Sequence, residues 1–254
     1  MAGDTGKRVF LLNPPSVVAA ELIEALLAAE YEVYLLKDPD RAKRVLARFN
    51  DSIVWVGIDS VLGEQGWQDY VQSLLAQKAY GDLKVGVLSY NADASLAERY
   101  LMQIGVQCGF VALKLGVEES TRIMLRALDA NEARGRRRYV RARTADDDRA
   151  GFNVTIDGQR VTGRILDISS VGMAVRFRSG VELPFKSLLR DIQLKLRATL
   201  VGVDGVVIGT RSDDPAIRVV LFQYTKGDDR PRHRIRQYIH QTLQEAIEKV
   251  ENQP

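Results

Sequence analysis

Residues 152–177 read FNVTIDGQRVTGRILDISSVGMAVRF. Polar and apolar residues alternate along FNVTID (152–157) and QRVTGRILDIS (159–169), the period of a half-buried strand. Between them stands Asp157-Gly158, a two-residue hairpin signal. Asp167-Ile168-Ser169-Ser170-Val171-Gly172 then carries the second strand through a tight turn into GMAVRF (172–177). Asp and Ser side chains commonly bond turn backbone, and Gly permits a positive φ. Taken alone, Asp-x-Ser-x-x-Gly reads as a structural turn. Downstream, IQLKLRA (192–198), LVGVDGVVIGT (200–210) and AIRVVLFQY (216–224) continue the alternation. Six short strands of this kind predict an antiparallel sheet closed into a small barrel. RHRIRQYIHQTLQEAIEKVE (232–251) follows as one amphipathic helix, with Ile235, Ile239, Leu243, Ile247 and Val250 on its apolar stripe. That stripe is read as packing on the barrel, with pairing to a second copy as the alternative.

Upstream of the hairpin lies RGRRRYVRAR (134–143), in which six of ten residues are Arg. No apolar period runs through it, so it reads as an exposed arm between domains, followed by TADDDRAG (144–151). Arginine is the informative choice. Its planar fork grips phosphate bidentately, stacks on a nucleobase, or bonds the O6/N7 edge of guanine.

The arm and the turn gain meaning together. Arg137-x-x-x-Arg141 precedes the barrel, and Asp167-x-Ser169-x-x-Gly172 follows after 25 intervening residues. With the six strands and the terminal helix, residues 134–250 resemble the PilZ family of cyclic di-GMP receptors. The usual Arg-Arg-x-x-x-Arg form fits Arg136, Arg137 and Arg141. The resemblance implies a barrel that binds cyclic di-GMP without turning it over. Arg137 and Arg141 would wrap phosphates and guanine faces. Asp167 and Ser169 would meet guanine edges, and Gly172 would leave room for the ligand. Arg134, Arg138 and Arg143 are read as solvated or supporting. The frame Arg134-x-x-x-Arg138 remains a competing register.

The first half has another rhythm. RVFLLN (8–13), EVYLL (32–36), SIVWVGI (52–58), KVGVLSY (84–90) and CGFVAL (108–113) are near-continuous apolar strands. Helices are expected over residues 16–30, 40–49, 66–79, 93–104 and 118–133. Such alternation predicts a doubly wound parallel sheet covered on both faces. Residues 7–133 resemble a response-regulator receiver domain. Receivers hold Mg²⁺ on an acidic pair after the first strand, but here Asn13-Pro14-Pro15 stands in that place. Asp59 lies slightly beyond the phosphate-accepting position, which falls on Val56 or Gly57. Ser89 and Lys114 occupy the places of the switch hydroxyl and the phosphate-pairing Lys. Prolines cannot replace hard oxygen ligands, so a degenerate receiver without phosphotransfer is expected.

Charge separates the halves. Residues 1–133 carry 13 Lys+Arg against 18 Asp+Glu, net −5; residues 134–254 carry 23 against 15, net +8. The basic half suits an anionic partner. One cysteine, Cys108, forbids an internal disulfide, and with His233 and His240 it makes a poor zinc site. No G-x-G-x-x-G, P-loop, G-x-S-x-G or H-E-x-x-H is present, so no enzyme is expected. No run of 18 apolar residues and no signal-peptide core are found, which makes a cytoplasmic location the expectation.

These observations divide the chain into a receiver-like α/β domain (1–133), an arginine-rich arm (134–150) and a barrel with a C-terminal helix (151–254). The expected function is a cyclic di-GMP receptor without metal or other cofactor. Ligand binding would change domain arrangement and contact with an unidentified effector protein, in motility, adhesion or virulence control. Two alternatives stand beside it. A nucleic-acid-binding regulator would use the basic half, but it lacks interleaved aromatics and a helix-turn-helix signal. A phosphorylated response regulator with a barrel output would need the missing acidic pair.

Overall fold

The structure is a computed structural model that describes residues 6–145, 147–178 and 183–251. The first five residues of the expected N-terminal reading and Asp146 of the arm lie outside them. The chain separates into two compact units: Met1–Arg138 with Leu243–Pro254, and Tyr139–Thr242.

The first unit alternates strands and helices. They are β1 (Arg8–Leu12), α1 (Ser16–Ala28), β2 (Val33–Leu36), α2 (Pro39–Arg48), β3 (Ser52–Gly57) and α3 (Glu64–Ala76). After these come β4 (Lys84–Ser89), α4 (Ala94–Glu98), β5 (Phe110–Ala112) and α5 (Val117–Ala130). The strands lie parallel in the order β2-β1-β3-β4-β5. This is the doubly wound order whose direction reverses between β1 and β3. Strand period two sorts the apolar runs into two cores. Val9, Leu11, Ile53, Trp55 and Leu88 face α1 and α5, meeting Leu22, Leu26, Met124 and Leu128. Phe10, Leu12, Val54, Val56 and Val87 face the opposite way, meeting Val45 and Leu46 of α2 and Trp67, Tyr70 and Val71 of α3. The single helix expected near 93–104 is α4 followed by a π-helical turn, Arg99–Ile104, which buries Tyr100 completely.

The second unit contains β6 (Arg141–Arg143), β7 (Ala150–Ile156), β8 (Gln159–Ser169), β9 (Gly172–Phe177), β10 (Leu188–Leu196), β11 (Thr199–Thr210) and β12 (Ile217–Gln223). The last helix, α6, runs over Arg230–Glu251. The order β8-β7-β10-β11-β12-β9 closes on itself through β8–β9, giving a six-stranded antiparallel barrel. At the first hairpin Asp157 has φ 50° and Gly158 φ 77°, the two positive values that the turn signal requires. The inward residues Phe152, Val154, Ile165, Val175, Ile192, Leu194, Val203 and Phe222 are buried.

Two features depart from the sequence reading. The end of the arginine arm is no exposed linker. Arg141–Arg143 forms β6, a seventh strand added to the outer half of β8, with Ala142 buried between its exposed arginines. The apolar stripe of α6 also serves both units. Ile235 and Ile239 are buried in the second, whereas Ile247 joins the α2–α3 core of the first. There the Gln244 amide spans the edge of β2, accepting from Leu35 N and donating to Leu35 O, both at 2.9 Å.

Candidate ligand site

β8 is the element that assembles the site. Its first half pairs with β7, and its second half pairs with both β9 and β6. The register to β9 shifts between Ile165 and Asp167, a bulge that re-aims the following side chains. Beyond it, Asp167 lies directly across from Arg143, and Ser169 across from Arg141. The two arginines at the end of the arm are therefore held by backbone pairing beside the Asp-x-Ser turn.

The Asp167 carboxylate is flanked by two guanidinium groups. Arg141 Nη1 is 3.8 Å from Oδ1, and Arg211 Nη1 is 3.5 Å from Oδ2. Both separations are those of ion pairs too long for good hydrogen bonds, so the carboxylate can still accept from a ligand. Arg141 is 55% exposed and Asp167 20%. Arg211 follows the end of β11. Its Nε and Nη2 donate to the two oxygens of Asp213 at 3.0 and 2.9 Å. That bidentate bond draws the Asp213 carboxyl below its usual range and pushes the Arg211 guanidinium up. Next to it, Asp214 holds Arg176 of β9.

Ser169 is buried. Its hydroxyl donates to Gly172 O at 3.2 Å and sits 3.5 Å from Val171 N, the bonds of the turn itself. Tyr224 Oη fixes the same turn by donating to Ser170 O at 2.5 Å. Gly172 is not among the positive-φ residues, so the turn does not need its conformational freedom. Its reason is close approach. A Cβ there would lie 2.5 Å from the Val220 carbonyl oxygen on β12.

The arm arginines from Arg134 to Arg138 fall in the first unit, and Arg136 and Arg137 are exposed. Arg134 is exposed and held by partners. It pairs with Asp129 at 3.2 Å, donates to Ala29 O at 3.3 Å and covers the Tyr31 ring at 4.7 Å. The sequence reading missed Arg211. The Asp213-Asp214 pair just beyond the last strand-like residue of LVGVDGVVIGT was the available signal.

The first unit has its own candidate position at the C-terminal end of the sheet. Asp59 is exposed, and its oxygens accept from Ser89 Oγ at 2.5 Å and from Tyr90 N at 2.8 Å. Lys114 is exposed on the turn after β5. Where a receiver would place its acidic pair, the Asn13 amide donates to Gly57 O at 3.1 Å and lies 3.3 Å from Ser60 Oγ. The strand ends touch, since a Cβ on Gly57 would lie 2.2 Å from Asn13 O. Among the described residues, no group of three His, Cys, Asp or Glu could hold a metal ion, and no helix is long and apolar enough to cross a membrane.

No curated protein matches the chain. Among solved structures, the PilZ domain of YcgR from Escherichia coli with c-di-GMP matches at 17% identity and a TM-score of 0.38. That match covers 46% of this chain and 99% of the other. MrkH of K. pneumonia in complex with c-di-GMP matches at 22% identity and a TM-score of 0.38, over 46% of this chain and 57% of the other. The signal receiver domain of an HD domain-containing protein from Pseudomonas fluorescens Pf-5 matches at 14% identity and a TM-score of 0.41, over 50% and 97%. The family model for the PilZ domain matches residues 135–241, from the arginine arm through the barrel and into α6. Residues 135–241 are thus similar to the PilZ domain, and they follow a first unit built on a doubly wound parallel sheet.

Proposed function

We propose that the barrel binds cyclic di-GMP reversibly and without chemical turnover, and that Arg136, Arg137, Arg141, Asp167, Ser169 and Gly172 form its site. One observation carries the reading: β6 pairs with β8 so that Arg141 of the arm stands beside the Asp167 carboxylate on a rigid strand. Cyclic di-GMP offers matching chemistry. Its two phosphates and guanine faces suit guanidinium groups, and guanine N1–H and N2–H₂ are donors for Asp167. Ser169 contributes by holding the turn, and Gly172 by letting β9 approach β12. Arg136 and Arg137 supply further cations from the exposed stretch of the arm.

In this reading the chain is a cytoplasmic receptor rather than an enzyme. It works as three segments: the receiver-like domain (1–133), the arm (134–150) and the barrel with its helix (151–254). Ligand engages the stretch of the arm ahead of β6, alters the arrangement of the domains and changes contact with an effector protein. Motility, adhesion and virulence control are the processes such a receptor would serve. The first unit takes no phosphoryl group, because an asparagine amide fills the place of the metal carboxylates. Intact mass after treatment with a small phosphodonor and Mg²⁺ should show no Asp59 adduct; an adduct lost in Asp59→Asn would overturn this.

Calorimetry tests the ligand. Cyclic di-GMP should bind far more tightly than GTP, cyclic di-AMP or a short DNA duplex. Arg141→Ala should weaken binding by about 2–5 kcal/mol, roughly 30-fold to several thousand-fold, as should Arg137→Ala. Normal binding by both arginine variants and by Asp167→Ala would place the site elsewhere.

A further inference from the structure

Arg211 belongs to none of the motif positions, yet among the described residues it flanks Asp167 together with Arg141. Its guanidinium is oriented by a separate partner. Asp213 takes the Nε and Nη2 edge in a bidentate bond, which turns Nη1 toward Asp167 Oδ2 at 3.5 Å. The backbone steadies the same residue, since Arg211 N donates to Ile217 O at 3.1 Å. The barrel thus presents an acceptor and an oriented donor side by side.

That pair matches one edge of guanine. N2–H₂, N1–H and O6 lie in a row, two donors followed by an acceptor. A carboxylate that accepts from N1–H and N2–H₂ leaves O6 beside it, in need of a donor. Adenine reverses the pattern, with an amino group where guanine carries O6. Building on the ligand reading above, we propose that Arg211 is a specificity-determining residue: it donates to guanine O6 while Asp167 accepts from N1–H and N2–H₂. Asp213 is its positioning residue. The division of labour follows from anchoring. Arg141 extends from the short added strand β6 and, among the described residues, pairs with Asp167 alone, at 3.8 Å, so it is the arginine placed to turn to phosphate. Arg211 is clamped by a second carboxylate and stays at the base.

An analogue cycle on the full chain tests this. Wild type, Arg211→Ala, Arg211→Lys and Asp213→Asn are titrated with cyclic di-GMP and with its 6-thioguanine analogue. The analogue keeps both N–H donors but offers sulfur, a weak acceptor, in place of O6. Wild type should prefer the oxygen ligand by about 10-fold, within the range of a single well-oriented base contact. Arg211→Ala should bind cyclic di-GMP about 10- to 100-fold more weakly and should lose the preference. Arg211→Lys keeps the charge but not the fork, so it should fail to restore the preference. Asp213→Asn should reduce it. An Arg211→Ala protein that binds as wild type does, or that binds weakly but keeps the full preference for oxygen, overturns the assignment. In either case loss of binding in Asp167→Ala would leave the ligand reading standing. Absence of cyclic di-GMP binding by wild type would overturn that reading and this inference together.

Discussion

Gly172 separates packing from ligand recognition within a single motif. The motif resemblance gives it the task of leaving room for a ligand. The structure gives it a neighbour instead: an alanine Cβ would sit 2.5 Å from the Val220 carbonyl oxygen. Ordinary carbon–oxygen contact needs close to 1 Å more. The neighbour is backbone, and β9 and β12 are joined on either side, with Val220 paired to Met173 and Leu221 to Gly172. Relief therefore requires the two strands to part, or the turn 169–172 to shift. Forcing a methyl into such a place costs about 1–3 kcal/mol. At roughly 2–4 °C per kcal/mol for a chain of this size, the transition that reports the barrel should fall by several degrees. Both tryptophans, Trp55 and Trp67, lie in the first unit, so their fluorescence does not report the barrel. Calorimetry of ligand-free Gly172→Ala is the appropriate assay. Hydrogen exchange at Phe222, whose N–H donates to Val171 O at 2.8 Å, should locate the damage beside the turn. A variant that melts and exchanges like wild type while losing ligand would refute the packing account and return Gly172 to a purely ligand-facing role.

Gln244→Ala should speed exchange of the Leu35 amide and cost about 1–3 kcal/mol, since two bonds to the β2 edge vanish; unchanged exchange at Leu35 would show that the amide contributes nothing there. Asp147 should show a pH signature. Burial pushes its carboxyl up, but hydrogen bonds from Arg149 outweigh this and hold it below its usual range, with Arg197 3.5 Å away. A carboxylate with a depressed folded pKa stabilises the fold above its unfolded pKa of about 3.9, and the benefit disappears as pH falls through the folded value. Asp147→Asn should therefore melt below wild type at about pH 7, with the gap closing toward about pH 2; a gap independent of pH would contradict this.

The barrel was legible because its strands obey period two and its turns are chemical. The bounds of β8 and β9 coincide with QRVTGRILDIS and GMAVRF, and Asp157-Gly158 adopts the backbone that its residues announce. β6 was hidden by its brevity. Arg-Ala-Arg offers a single apolar residue, Ala142, and no period can be read from one. Its place comes from long-range pairing with Asp167–Ser169, which local sequence does not encode. Arg211 escaped for a related reason. Its relation to Asp167 depends on how barrel closure brings the end of β11 toward β8, and only the Asp213-Asp214 turn marked it. In the first unit, the loss of the acidic pair could be read from Asn13-Pro14-Pro15. That the amide of Asn13 fills the space by bonding Gly57 O could not. The stripe on α6 was legible as a stripe, but nothing in its spacing separates Ile239, buried in one unit, from Ile247, buried in the other.

Around Asp167, the charges of Arg141, Arg176 and Arg211 are each answered by a protein carboxylate. Asp167 lies between Arg141 and Arg211, Asp213 holds Arg211, and Asp214 holds Arg176. A polyanion surface is built otherwise, with cations that are neutralised by mobile salt and release it on binding. Here a phosphate or a guanine edge must compete with a neighbouring aspartate. Binding then exchanges one carboxylate partner for another acceptor rather than for salt ions. Two consequences follow for a titration against ionic strength. Affinity for cyclic di-GMP should decline gently, because the exchanged contacts are local and short-ranged. Selectivity for guanine over adenine should persist across the series, because it rests on the direction of donors and acceptors and not on net charge. A steep fall with salt, with adenine and guanine ligands falling together, would mean that the +8 of the second half acts as a diffuse field. The Asp167 cluster would then be an ordinary set of surface ion pairs, worth little to stability and nothing to recognition.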